Sequence, residues 1–380
     1  MAALEASFRV GLFLGIIRIA TAPAAAPKPI VSAKPFNCII TPPFEFSMPC
    51  RKKFLLVKFS HLAPGEKSAI IEEKVGFSEI WAFAGGMHMS VDKLQDKIRK
   101  LKNPSMVEFS MDLTQIPPYI MEAERSEVLA YERFAKELLD ALKGIVPAVR
   151  FNMGQFSLLG ADGMFLLSRI TQYARSLEYY ILMDAPECLS SQSAELSVKS
   201  LFEEHCVFEF DGLVVSAYAG SDVLKPYVKA LKSSMKDLFV VLRTANKSAA
   251  ELQDLLTGSR LVHMAAADIV YRQAEPLVGK SGYSRVAAVG PASVADVLKK
   301  LRARYKSLFL LLDGYDYPNA NAKNCSYAFD TLGHGAIACA GTGITAAWMA
   351  DGNKGDDYVV CAVNAAERMK KNLLRYITVL

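Results

Sequence analysis

From Met89 onward the chain alternates short apolar runs with helical periods, and this alternation restricts the possible folds more than any other feature. The runs at 106–111, 148–153, 179–184, 212–216, 238–243, 285–289, 308–312 and 335–339 read as strands, each β-branched or Leu-rich. Helical periods fill most of the gaps, at 125–143, 163–176, 193–202, 223–232 and 293–304, and a closing helix is expected at 358–375. Eight strands with helical returns predict an α/β protein, a (β/α)8 TIM barrel. An open doubly wound sheet is the competing architecture, but no Gly-x-Gly-x-x-Gly follows the first strand and a count of eight favours closure. Such a barrel commonly needs about 250 residues, and this chain has 380, of which 52% are apolar.

Residues 1–87 are of a different kind. They hold eight of the 17 prolines and show no sustained period of either type. The apolar stretch 8–20 is too short to span a bilayer and is interrupted by Arg9 and Arg18. Met87-His88-Met89 stands directly before MSVDKLQDKIRKLKNP, which reads like a natural start. The expectation is therefore a barrel over 88–380, preceded by a disordered extension or a start codon called too early. A secretory signal or transit peptide is the competing reading of the extension.

Charge and cysteine usage exclude several functions. The first 87 residues carry ten Lys/Arg against six Asp/Glu, and the rest 34 against 33, so no basic field marks a nucleic-acid binder. Seven Cys, odd in number and without a CxxC pair, suit reduced thiols in a cytoplasmic protein better than disulfides or zinc. Five scattered His give no metal-site pattern. The sequence thus predicts no metal, no nucleic-acid partner and no membrane segment.

The chemistry should sit at the C-terminal ends of the strands. In YYILMDAPECLSSQSA, residues 179–194, a buried strand delivers Asp184 to that mouth and runs into a loop without Lys. Asp184, Glu187, Asp313 and Asp316 all fall near the rim, with Arg150 as the opposing cation. Asp184 with Arg150 also has a plainer reading, as a buried ion pair capping the barrel. Thr244 and Asn246 follow a strand and could cap the next helix, and Asp222 reads as the N-cap of the helix opened by Gly220-Ser221. Gly341-Thr342-Gly343 reads as a turn able to cradle an anion. Cys188 has no His placed to activate it and reads as an inert thiol.

Three segments together, VVSAYAGSDVLKPYV, LFVVLRTANKSAAELQD and SGYSRVAAVGPAS, resemble the longer bacterial orotidine 5'-phosphate decarboxylases. The matching pieces are Tyr218-Ala219-Gly220-Ser221-Asp222, Thr244-Ala245-Asn246 and Gly282-Tyr283-Ser284, and the similarity runs over residues 89–376. The resemblance implies a barrel that makes UMP from orotidine monophosphate without a cofactor, in a dimer that shares its active site. That reaction leaves a carbanion with no conjugated sink, so the rate must come from preorganised charges.

The same resemblance assigns positions, and most have changed. The ribose-binding Asp of the first strand falls at Ser110, and the Lys of the second strand at Arg150. Of the third-strand Asp-x-Lys-x-x-Asp, Asp184 is kept, the proton-donating Lys becomes Pro186, and the Asp lent to the partner becomes Leu189. The Pro-Gly-x-Gly-x-Gln after the seventh strand reads Asp313-Gly314-Tyr315-Asp316-Tyr317-Pro318, losing the phosphate-contacting Gln. The phosphate Arg falls at Thr342, with Gly335-Ala336-Ile337 and Trp348 holding the register. Thr244 and Asn246 become candidate pyrimidine contacts, and Gly341, Thr342 and Gly343 candidate phosphate contacts. Proline carries no transferable proton, and an Arg with pKa above about 12 is a poor substitute for Lys.

The resulting expectation is a member of the family, in pyrimidine biosynthesis, with impaired catalysis. It would act as a homodimer, as a heterodimer with an intact decarboxylase, or as a binder of orotidine monophosphate or UMP. An active decarboxylase with a rebuilt site, in which Arg150 and Asp184 carry the chemistry, is the first alternative. Other sugar-phosphate barrel chemistry, with an ion held by Asp184, Asp313 and Asp316, is the second.

Overall fold

The computed structural model describes residues 90–203, 205–352 and 354–380, with four two-residue strands earlier in the chain. The chain divides into two units, Met1–Met87 and His88–Leu380. In the first, Ile19–Ala20 pairs antiparallel with Ile70–Ile71, and Ile39–Ile40 with Val57–Lys58. The expectations for 1–87 otherwise lie outside the described residues.

The second unit is the expected barrel. Its strands are β1 (Ser105–Phe109), β2 (Ala148–Asn152), β3 (Tyr180–Asp184), β4 (Gly212–Ser216), β5 (Asp237–Val241), β6 (Val286–Pro291), β7 (Leu310–Asp313) and β8 (Ala336–Ala340). All pair in parallel and in chain order, and β8 closes on β1 through Ala338–Ser105 and Ala340–Val107. β4 has the expected ends, and the ends of the other strands lie within two residues of the expected ones. Strands in this setting are buried on both faces, and Tyr180, Ile181, Leu182 and Met183 of β3 are fully buried. Each such Leu, Ile or Met contributes about 1.5–3 kcal/mol relative to exposure.

The α-helices of ten residues or more are α1 (Val91–Leu101), α2 (Glu127–Leu142), α3 (Gly160–Ser176), α4 (Ser191–Phe202), α5 (Ser221–Leu231), α6 (Val262–Ala274), α7 (Ala295–Arg304) and α8 (Tyr358–Leu374). Among them α1 and α6 go beyond the expected set. Helix α1 buries Val91, Leu94 and Ile98 and lies against the N-terminal ends of the strands. Its Gln95 Oε1 accepts from Gly335 N at 2.9 Å, just before β8. Its Asp92 accepts from Lys280 N and Ser281 N at 3.1 and 2.9 Å, before β6. The opposite, C-terminal rim is left for the candidate site. Among the described residues no helix is long and apolar enough to cross a membrane.

Candidate functional site

Arg150 is the centre of the mouth. It sits in the middle of β2, in register with Glu108 of β1, and its side chain runs up the barrel interior to the rim. There it meets the last residues of β3 and β7, Asp184 and Asp313. Arg150 Nε and Nη2 donate to the two oxygens of Asp184 at 2.8 and 2.7 Å, a bidentate fork. Nη1 donates to Asp313 at 2.5 Å and to Glu108 at 3.2 Å. Asn152 Nδ2 adds a longer bond to Asp184, 3.4 Å. Only 6% of Arg150 is exposed.

One cation thus faces three carboxylates. Burial works against the guanidinium charge, but Asp184, Asp313 and Glu108 outweigh it and hold Arg150 more firmly protonated than in water. Glu108 makes the longest of the three contacts. Burial pushes its carboxyl up to about 7, against the pull of Arg150 and with added repulsion from Asp184, Asp313 and Asp316. It therefore carries a proton for much of the time near neutrality, as expected when like charges share a dry site. Glu108 is absent from the sequence reading. Its signal was a lone charge inside the apolar run MVEFSM, on the same strand face as Ser110.

The other expected residues divide into two groups. Asp184, Arg150 and Asp313 come together as anticipated. Ser110 Oγ accepts from Gln115 Nε2 at 2.8 Å, and Gln115 Oε1 accepts from Thr345 Oγ at 2.9 Å, tying Ser110 into a hydroxyl–amide chain. Pro186 and Leu189 lie in the loop between β3 and α4, with Leu189 83% exposed. That loop ends at a capping box, in which Ser190 Oγ accepts from Ser193 N and Ser193 Oγ from Ser190 N. A cavity of about 280 Å3 lies beside it, lined by Pro186, Cys188, Ser193 and Leu201 but not by Arg150 or Asp184. Cys188 Sγ is 3.3 Å from the Tyr227 hydroxyl.

Thr244 and Asn246 follow β5 as expected. They bond to each other at 2.5 Å, and Gln253 closes the group by accepting from Thr244 N and donating to Thr244 Oγ. Asn246 makes no side-chain cap for the short helix after it, so the capping reading is corrected there. Asp222 is corrected too: the N-cap of α5 is Gly220, at φ 101°, and Asp222 lies in the first turn.

The turn after β8 holds the second surprise. Gly314, at φ 71°, turns the chain back after β7, and Tyr315 N donates to Cys339 O at 2.9 Å, stitching this turn to β8. Asp316 is thereby aimed at Gly341-Thr342-Gly343. Its Oδ2 accepts from Gly341 N at 3.0 Å, Gly343 N at 2.9 Å and Thr342 Oγ at 3.4 Å. Asp184 and Asp313 face Arg150 while Asp316 faces the turn, so the three do not converge as ion ligands. Among the described residues no group of three or more His, Cys, Asp or Glu is placed to hold a metal.

No family model matches the chain. It is 26% identical over 286 residues to orotidine 5'-phosphate decarboxylase of Clostridium acetobutylicum, spanning 75% of this chain and 99% of the relative. The Petrotoga mobilis decarboxylase is 28% identical over 262 residues, spanning 68% and 89%. Among solved structures, Leishmania donovani OMP decarboxylase superposes with TM-score 0.56 at 21% identity, covering 75% of this chain and 99% of that one. The Plasmodium berghei orotidine 5'-monophosphate decarboxylase gives 0.60 at 14%, covering 74% and 99%. The two structures share the closed barrel. The chain belongs to the orotidine 5'-phosphate decarboxylase family, whose pathway is pyrimidine biosynthesis.

Proposed function

We propose that this chain is a non-decarboxylating member of the family, retained in pyrimidine biosynthesis as a nucleotide binder or as the partner subunit of an intact decarboxylase. The observation that carries the reading is the state of Arg150. At the position of the family's second-strand Lys, it is buried and spends its donors on Asp184, Asp313 and Glu108. A cation held this way is a structural clamp, with little freedom to move a proton or to contact a substrate carboxylate. Pro186 stands where the proton-donating Lys would be and offers no donor in its place. Loss of one member of a catalytic unit typically removes most of its rate enhancement, and here the Lys at 186 and the Asp at 189 are both replaced. The homodimer or heterodimer role follows from the family's shared site, with Leu189 presented on the surface where the lent Asp would be.

One observation favours a second reading, an active enzyme with a rebuilt mouth. Glu108 holds a proton near neutrality beside Arg150 and could act as the acid that Pro186 cannot be. Loss of orotidine monophosphate absorbance, followed with the full-length chain, separates the two. No turnover is expected from the unaltered protein or from Glu108→Gln. Turnover that Glu108→Gln abolishes would establish the second reading and overturn the first. Pro186→Lys with Leu189→Asp, run alongside, shows whether restoring those two groups is enough.

A further inference from the structure

We propose that Asp316 is a specificity-determining residue: from within the chain it occupies the turn at 341–343 and closes the mouth to phosphorylated ligands. The ligand class that remains is the unphosphorylated nucleoside. This narrows the nucleotide-binding reading above to its nucleoside part and rests on it for the identity of the base and sugar.

The geometry is that of an anion already bound. A single oxygen, Asp316 Oδ2, accepts from two backbone amides and faces one hydroxyl, Gly341 N, Gly343 N and Thr342 Oγ. Those donors are what a phosphate oxygen would need, and an internal carboxylate reaches them without the entropy cost of binding. The packing is tight as well. A Cβ built on Gly343 would stand 2.8 Å from Asp316 Cβ, so no phosphate-sized group fits between the residue and the turn. The cations expected at this mouth offer no compensation, since Thr342 stands where the resemblance places the phosphate Arg and Arg150 is already engaged. A dianion that displaced Asp316 would also meet Glu108, Asp184 and Asp313, the three carboxylates clustered on Arg150. A neutral nucleoside meets neither obstacle.

The test uses the full-length chain labelled with [15N]glycine, titrated separately with inorganic phosphate, uridine and UMP. In the unaltered protein the Gly341 and Gly343 amide signals should not respond to phosphate, and uridine should bind at least about tenfold tighter than UMP. In Asp316→Gly, phosphate should move both signals, and UMP should bind at least about tenfold tighter than uridine. Asp316→Asn removes the charge with less disturbance of the turn and serves if the glycine variant fails to fold. The proposal is overturned if phosphate moves those signals in the unaltered chain, if that chain binds UMP as tightly as uridine or tighter, or if neither variant gains a phosphate response. If uridine and UMP both fail to bind, the nucleotide reading is lost, while the phosphate titrations still decide the role of Asp316.

Discussion

At the scale of single residues, the mouth is governed by an imbalance of charge. Three carboxylates converge on Arg150, and removing the cation would leave them buried together. Arg150→Met is therefore expected to destabilise the barrel by about 3–5 kcal/mol at pH 7.5, measured by urea unfolding. Glu108 gives the mouth a pH dependence of definite sign. Its carboxyl is raised from 4.5 to about 7 on folding, so the folded state binds the extra proton. That contribution to stability is complete below pH 4.5 and is lost as pH rises through about 7. Glu108→Gln should flatten the decline across this window and leave the protein the more stable of the two at pH 8. A decline that persists in Glu108→Gln would move the effect to another group. Asp184 and Arg150 were legible in the sequence because each is a lone charge at the end or centre of an apolar run. The contact of Asp316 with Gly341 and Gly343 was not, because the two turns are about 25 residues apart and meet only when β7 pairs with β8.

At the scale of elements, strand positions were readable because a doubly buried parallel strand must be apolar almost throughout. Helix α1 carries its signal in the spacing of Val91, Leu94 and Ile98, but the charges between them equally suit an exposed chain start. Helix α6 packs small residues, Ala266, Ala267 and Ala274, whose weak apolar contrast hides the period. The junction before β8 is an exacting connection. Gly335 sits at φ 82°, and a Cβ there would stand 2.3 Å from the Tyr283 ring. Gly335→Ala should cost about 3 kcal/mol or more, through both strain and overlap. Gly144→Ala, at φ 77° but with nothing within 4 Å, should cost much less. Equal losses of thermal stability in the two variants would mean that backbone conformation alone, not the Tyr283 contact, sets the requirement.

At the scale of the whole molecule, the barrel is the family's scaffold, and its two ends differ in character. Its N-terminal end, covered by α1, is closed by ordinary packing and hydrogen bonds, while the C-terminal rim carries the charge cluster of Arg150, Asp184, Asp313 and Glu108. Fold and family were determined by sequence alone, since eight apolar runs with helical returns leave few ways to bury them. The same holds for the lack of a side-chain proton donor at 186, because proline has none in any conformation. Only the tertiary structure decided where the charges point. Closure of the sheet brought Glu108 beside Arg150 and Asp313, and the pairing of β7 with β8 turned Asp316 onto the glycine turn. Those contacts join residues distant in the chain, and their energies depend on separation and burial, quantities that exist only once the barrel has closed.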